Sequence, residues 1–420
     1  MSSASLSGGI GRALSNVLFR RFWTSNALST IGRWIYRTAV MWFAWELTES
    51  TTWLGIVAFA DVFPMVILSV FAGAISDRVG YIRVIQHSQL AIILLAGLFA
   101  ALIITGYITI ELVVILSVIH GSIEAMSTPP RMSMVNALVA KADLSSAIAL
   151  NSAMFNGSRI VGPAIAGFLI PYIGVGMVLL LSMVAFVQFY VVMLFMRVEA
   201  AGGTGKVSLS LLTDMWDGVV YAWRNPGIRF LLITLTMVGL FVRPFMELAP
   251  GFADQIFGLG SEGLGSILSS IGIGAMVASL WLAHRGETQG LTRIVTVSLA
   301  AQAAAVVLFA TTSNIYIAVV YLLLMGFFML ATGVGAQTLI QNTVAAEVRA
   351  RVMSLFILLS WGLPALGALI GGWIASFAGL QLTIGAGAAV VLVSYLWFHL
   401  TAKKLETALE SEGRQKTAPG

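Results

Sequence analysis

The chain of 420 residues contains no cysteine and little charge. Without cysteine it has no disulfide, no thiolate metal site and no cysteine nucleophile. Only 10% of the residues are charged and 59% are hydrophobic. That balance excludes a soluble globular protein, because the surface of such a protein needs far more charge. No cleavable signal peptide is expected either, since the first residues are polar and the first apolar run contains arginines.

Sequence motifs of enzymes are also missing. The four histidines lie in separate segments, and no His-Glu-x-x-His, Gly-x-Ser-x-Gly or Gly-Lys-Ser/Thr sequence occurs. These are the usual marks of zinc hydrolases, serine hydrolases and nucleotide-binding loops. The sequence therefore predicts that the protein is not an enzyme, has no cofactor and no metal site, and does not use ATP.

What the sequence does contain is a series of long apolar runs. Each run has about 20 residues, which is enough to cross a hydrocarbon core of about 30 Å. We expect an all-α membrane protein with twelve transmembrane helices. The predicted spans begin near Phe22, Leu54, Leu90, Leu112, Ser146, Val175, Phe230, Leu264, Ile294, Ile315, Met353 and Ile384.

The remaining charge is distributed unevenly between the two sides of this topology. Lysines and arginines outside the spans, together with Arg131 of the fourth span, all fall on one side. The opposite connections contain only acidic charges, namely Glu46, Glu49, Glu111, Asp254 and Glu262. The positive-inside rule then predicts cytoplasmic termini in a bacterial inner membrane. It also accounts for the net charge of +5, so lipid rather than nucleic acid is the expected partner.

The two halves of the chain resemble each other. Arg21-Phe22 opens the first half and Arg229-Phe230 the second, and the glycine-rich segment at Gly162 recurs at Gly367. Repeated six-helix units are typical of secondary transporters, with the binding site between them. We predict a bundle over residues 1–198, a linker with an amphipathic interfacial helix over 199–227, and a second bundle over 228–420. The two pseudo-symmetric bundles would surround a central cavity.

A short charged turn between the second and third spans carries the first recognisable motif. Gly80 permits a tight turn and arginines hold it on the cytoplasmic side. A second motif lies in the fifth span, where glycines precede and follow a proline. The residues of the turn are Gly73, Asp77, Arg78, Gly80 and Arg83, and those of the fifth span are Gly157, Gly162, Pro163 and Gly167.

Both motifs resemble those of the major facilitator superfamily, and the resemblance covers nearly the whole chain. The opening Phe22-Trp23 and the Trp45-Glu-Leu-Thr48 turn are similar to the group of macrolide-efflux and enterobactin-type siderophore exporters. This resemblance implies a proton-coupled exporter that works as a monomer, with the Asp77 turn as a conformational switch. The chain departs from many antiporters of the superfamily because its first helix has arginines where they have an acid.

Two arginines lie on one stripe of the first helix, together with Asn26. Arg33 and Arg37 are four residues apart and so share a helix face. Counting about 1.5 Å per residue from the outer ends places Arg37 and Asp61 at equal depth, which predicts an ion pair. Such a pair either cancels charge or breaks and re-forms during transport. Arg33 has no obvious acid at its depth, so it is the first candidate, with Arg37 and Asn26, to line the substrate cavity.

The fourth helix has a second polar stripe, which consists of Ser117, His120, Glu124, Ser127 and Arg131. An apolar environment without a cation favours the neutral, protonated carboxyl group. Glu124 is therefore the first candidate for proton coupling and Asp61 the second. A purely structural hydrogen bond between His120 and Glu124 is the alternative, since their spacing of four residues allows it. His120 is also a candidate to line the substrate cavity.

These observations predict a secondary active transporter that uses alternating access. Repeated bundles and buried charge pairs favour such a carrier over a channel or a receptor. We expect export of a small hydrophobic or amphipathic compound, anionic compounds included, in exchange for protons. The alternative is an ion-independent facilitator, or an uptake carrier for an anionic metabolite.

Overall fold

The computed structural model describes residues 9–196, 211–287 and 289–395, and their regular structure is helical. The helices of the first half are α1 (Gly9–Ser15), α2 (Val17–Thr48), α3 (Thr51–Val79), α4 (Tyr81–Ile104), α5 (Ile110–Leu138) and α6 (Leu144–Phe195). Those of the second half are α7 (Leu211–Arg224), α8 (Pro226–Phe241), α9 (Phe245–Gly251), α10 (Gly260–Arg285), α11 (Leu291–Ala310), α12 (Ile315–Thr343), α13 (Ala346–Ile357), α14 (Leu363–Ala378) and α15 (Leu380–Tyr395).

Nine helical stretches of the described chain are long and apolar enough to cross a membrane. The arginine-containing α2 is not among these nine, and α15 is shorter than they are. The long α6 counts once, although Gly174 has φ 76° and ψ 162° and so interrupts its helical geometry. The all-helical membrane class is confirmed, and the arrangement of twelve spans in two bundles stays a prediction.

The chain divides into two compact units. Unit 1 comprises Met1–Thr48 and Ala60–Val207, and unit 2 comprises Glu49–Phe59 and Ser208–Gly420. The start of α3 thus belongs to unit 2, where the Thr51 hydroxyl donates a hydrogen bond of 2.8 Å to the Gly372 carbonyl oxygen. The predicted domain boundaries stay a prediction.

The repeated glycine segments occupy equivalent packing positions in the two units. A Cβ on Gly162 of α6 would lie 3.2 Å from the Ile35 nitrogen of α2. A Cβ on Gly367 of α14 would lie 2.6 Å from the Leu240 carbonyl oxygen of α8. In each unit the glycine lets two helices approach closely, as small residues do in membrane helix packing.

The linker region contributes the 14-residue helix α7, while its glycine-rich beginning lies outside the described residues. Gly218 packs against the Arg351 backbone of α13, 3.2 Å from where its Cβ would be. Ala222 is buried, and Trp223 is exposed with its ring 5.5 Å from the Arg229 guanidinium. One face of α7 therefore packs within unit 2, and its role as an interfacial linker helix stays a prediction.

The charged turn has the conformation that its glycine predicts. Gly80 separates α3 from α4 and has φ 96° and ψ 136°, which L-residues rarely adopt. The side chain of Asp77 lies outside the described residues. Its role as a conformational switch, together with Gly73, Arg78 and Arg83, stays a prediction.

Candidate functional site

The candidate site lies in unit 1, where α2 and α5 run antiparallel in a constant register. Arg33 contacts Glu124, and Asn26, seven residues earlier, contacts Arg131, seven residues later. One turn in the other direction, Arg37 and His120 lie at the same level because both contact Asp61 of α3. We call the polar side chains along this interface the polar ladder; it comprises Asn26, Ser29, Thr30, Arg33, Arg37, Asp61, His120, Glu124, Ser127 and Arg131.

Asp61 holds together the end of the polar ladder opposite to Arg131. Its Oδ2 accepts a hydrogen bond from Arg37 Nη1 at 3.2 Å, and its Oδ1 lies 2.6 Å from His120 Nδ1. The Tyr36 ring stacks on the His120 ring with centroids 4.6 Å apart. The predicted Arg37–Asp61 pair is confirmed. His120 binds Asp61, so the alternative of a hydrogen bond from His120 to Glu124 is wrong.

A second ion pair joins α2 directly to α5. Arg33 Nη1 lies 2.9 Å from Glu124 Oε2, and Arg33 Nη2 donates a hydrogen bond of 3.0 Å to Thr30 Oγ1. The expectation that Arg33 has no acid at its depth is therefore wrong, and so is the expectation that Glu124 has no nearby arginine. Depth counted along separate helices did not predict which faces meet across the bundle.

Arg131 forms one end of the polar ladder and lies on the stripe of the fourth span where the sequence predicted it. Its side chain is buried in α5, where Nη2 donates a hydrogen bond of 2.6 Å to Gln89 Oε1 and Nη1 one of 3.3 Å to Asn26 Oδ1. Its guanidinium also lies 4.8 Å from the centre of the Phe189 ring. Its position on one stripe with His120 and Glu124 was the sequence signal for this placement.

Asn26, a candidate residue of the substrate cavity, forms a hydrogen bond with Arg131. Asn26 is only 4% exposed, and its amide nitrogen lies 3.7 Å from the Met154 sulfur. Its polar atoms are thus engaged within unit 1. A part in substrate binding stays a prediction for Asn26, as it does for Arg33, Arg37 and His120.

The close approach of α3 to α5 depends on Gly121. A Cβ there would lie against the Asp61 carbonyl oxygen and 2.8 Å from its carbonyl carbon. No larger residue fits, because carbon atoms in contact are about 3.5–4.0 Å apart. Gly121 directly follows His120, so the same contact positions the imidazole beside the Asp61 carboxylate.

The charges of the polar ladder are largely enclosed and mostly paired. The side chains of Arg33, Glu124 and Asp61 are 18%, 14% and 16% exposed. Charged side chains inside membrane proteins usually pair in this way, and they usually mark functional sites. Three arginines face two acids and one histidine, so the ladder carries an excess of positive charge.

Comparison with known proteins identifies the class. Residues 12–419 match the family of transmembrane secretion effectors in the major facilitator superfamily. The chain belongs to this family. It is therefore a secondary transporter and not an enzyme, as the sequence predicted.

Two characterised relatives cover almost the whole chain. The staphyloferrin A transporter of Staphylococcus aureus is 24% identical over 93% of this chain and 97% of its own length. The multidrug efflux pump Tap of Mycolicibacterium fortuitum is 24% identical over 84% of this chain and 88% of its own length. The resemblance to drug and siderophore exporters is confirmed at the level of the group.

Solved structures show the same fold. The nucleoside transporter NupG has a TM-score of 0.69 at 14% identity, covering 94% of this chain and 98% of its own. The D-xylose–proton symporter has a TM-score of 0.69 at 11% identity, covering 90% and 96%. At these identities the likeness concerns the fold alone.

Proposed function

We propose that this transporter exports a small hydrophobic or amphipathic compound, anionic compounds included, in exchange for protons. The observation that carries the proposal is the pair of buried acids, Asp61 and Glu124, each held by an arginine of α2. The names of the relatives, an efflux pump and a staphyloferrin A transporter, support export and this range of substrates.

Exchange follows from the geometry of these ion pairs. A carboxylate that takes up a proton loses its charge and with it most of its attraction to the arginine. The released guanidinium is then free to bind an anionic or polar group of the substrate, or to let the helices separate. Proton and substrate thus compete for the same arginines, which is a basis for antiport by alternating access.

We further propose that the protein works as a monomer in a bacterial plasma membrane with both termini in the cytoplasm. The distribution of basic residues supports this orientation. In it, Arg37 lies toward the outer side and Asn26 toward the cytoplasm. Asp61 is then the acid nearer to the outer, acidic medium.

The excess of positive charge favours one alternative function. An ion-independent facilitator, or an uptake carrier for an anionic metabolite, also needs unpaired positive charge at its binding site. In that case the two ion pairs are structural, and flux does not respond to a proton gradient.

The test uses purified protein in liposomes, with ethidium and staphyloferrin A as probes and a pH gradient imposed across the bilayer. We expect wild-type protein to accumulate at least one probe against its gradient. Glu124→Gln should equilibrate the probe but not accumulate it, because the neutral amide cannot exchange a proton. Glu111→Gln is the matched control, since Glu111 is an exposed acid at the start of the same helix.

Three outcomes test the proton exchange, the role of Glu124 and the substrate range. Wild-type flux that ignores the pH gradient contradicts proton exchange and supports the facilitator. Uphill transport by Glu124→Gln shows that Glu124 is structural, and Asp61→Asn then tests the second candidate. If neither probe is moved, the proposed substrate range is wrong.

A further inference from the structure

Two hydroxyl groups of the polar ladder differ from neighbouring serine and threonine hydroxyls of α2 and α5. Ser25, Thr30, Ser117 and Ser122 each donate to a backbone carbonyl of their own helix. The hydroxyls of Ser29 and Ser127 are buried, and no described residue accepts from them or donates to them. A buried hydroxyl without a partner costs about 1–3 kcal/mol, so its retention needs a reason.

The register of α2 and α5 places these two hydroxyls at the same level. Ser29 lies between Asn26 and Arg33 on α2, and Ser127 lies between Glu124 and Arg131 on α5. Because Arg33 meets Glu124 and Asn26 meets Arg131, the serines fall between these two contacts. Ser29 is 0% and Ser127 is 1% exposed, so each is enclosed within the protein.

Further buried polar atoms of the polar ladder have no hydrogen-bond partner among the described residues. They follow one another over the eleven residues of α5 from His120 to Arg131, about 16 Å at about 1.5 Å per residue. These atoms are His120 Nε2, Glu124 Oε1, Arg33 Nε and Arg131 Nε. A buried water typically binds two to four polar groups of this kind.

We propose that the interface of α2 and α5 contains a narrow hydrated path that carries protons between the Asp61–His120 pair and the cytoplasmic end of the bundle. The proposal rests on the proton exchange proposed above and adds the route and the residues that form it. Glu124 is the intermediate acid on this route, and the hydroxyls of Ser29 and Ser127 bridge the step between Glu124 and Arg131.

Each transfer along the path is balanced. A water or serine oxygen accepts a proton through one lone pair and passes its own proton to the next oxygen. One O–H bond forms as another breaks, so one charge moves and no electron is transferred. Asp61, His120 and Glu124 hold the proton at the outer and middle levels, and Arg33 and Arg37 hold the acids in place.

On this path, Arg131 prevents protons from leaking at the cytoplasmic end. It is a buried cation whose hydrogen bonds and ring contact go to the neutral Gln89, Asn26 and Phe189, while the charges that act on it are those of Arg33 and Glu124. A fixed positive charge repels a proton, as an arginine does in pores that exclude protons. The proton therefore leaves only when Arg131 is displaced.

The absence of cysteine from the native chain permits a test that needs no substrate. Ser29→Cys and Ser127→Cys each introduce the only thiol, and Ser25→Cys and Ser117→Cys are matched controls at 2% and 3% exposure. The four variants in liposomes are exposed to Ag⁺ or to the bulky reagent MTSET. Thiols that remain free are then counted with a maleimide after unfolding.

We expect Ag⁺ to block the thiols at positions 29 and 127 at least tenfold faster than those at 25 and 117, and MTSET to block none of the four. Equal resistance to Ag⁺ at all four positions would show dry packing and overturn the path. Rapid reaction of positions 29 and 127 with MTSET would place these residues in a wide cavity and also overturn it.

A second measurement tests the route for protons. Ser127→Ala should lower pH-driven accumulation of the transported probe at least fivefold relative to downhill exchange, whereas Ser122→Ala should leave this ratio unchanged. Unchanged uphill transport by Ser127→Ala contradicts the route while proton exchange stands. If wild-type protein ignores the pH gradient, the proton role falls with the proposed function, and the thiol experiment still decides whether the interface is hydrated.

Discussion

Replacement of Gly121 by alanine tests whether helix packing sets the geometry of the charges. A Cβ at this position would lie 2.8 Å from the Asp61 carbonyl carbon, whereas a relaxed contact needs about 3.5 Å or more. The two helices must therefore separate by about 0.7–1.2 Å. The Asp61–His120 hydrogen bond of 2.6 Å would then lengthen to about 3.3–3.8 Å, beyond the usual range for hydrogen bonds.

Gly326→Ala supplies the matched control. A Cβ on Gly326 of α12 would also lie 2.8 Å from a carbonyl carbon, that of Ile271 in α10. Both substitutions should cost about 1–3 kcal/mol through overpacking, measured as unfolding of the purified protein in detergent. Only Gly121→Ala disturbs the pair of Asp61 and His120.

The assay is probe accumulation driven by a pH gradient, normalised to folded protein in the liposomes. We expect Gly121→Ala to lower it at least tenfold and Gly326→Ala to lower it less than twofold. Equal activity of the two variants would refute the argument that this helix contact positions the charges. Wild-type stability of Gly121→Ala would refute the packing argument itself.

Two further predictions concern unit 1. Arg37→Ala and Asp61→Ala should each destabilise the protein by about 3–5 kcal/mol, because each leaves an enclosed charge without its partner. The double variant Arg37→Asp with Asp61→Arg should restore part of this stability. Additive effects in the double-mutant cycle would contradict the ion pair. Gly80→Ala should cost about 1–2 kcal/mol because φ is 96° there, whereas Gly333→Ala, a helical position with no atom within 4 Å, should be neutral or stabilising. Thermal unfolding of Gly80→Ala and Gly333→Ala measures this difference, and equal stability of these two variants would contradict the prediction.

Sequence reasoning succeeded where the relevant residues are close in the chain. Only Glu49 and Ser50 separate α2 from α3, so counting from this short connection predicted correctly that Arg37 meets Asp61. The turn at Gly80 was predictable for a similar reason, because a single residue determines its conformation. In both cases only a few residues separate the predicted position from the connection that was used to predict it.

Prediction failed for contacts between helices that are distant in sequence. Arg33 and Glu124 belong to α2 and α5, with two other helices between them. Helical periodicity shows that Arg33 and Arg37 share a face, but it does not show which helix that face meets. The prediction that Glu124 has no arginine at its depth was wrong for this reason.

The sequence alone determined the membrane class, the superfamily and the presence of buried charges, because composition, hydropathy and short motifs are local properties of the chain. Tertiary structure alone decided which charges pair and which hydroxyls remain without a partner. The physical reason is that pairing depends on the rotation and register of packed helices. Small residues such as Gly121 set these through contacts that no local sequence pattern specifies.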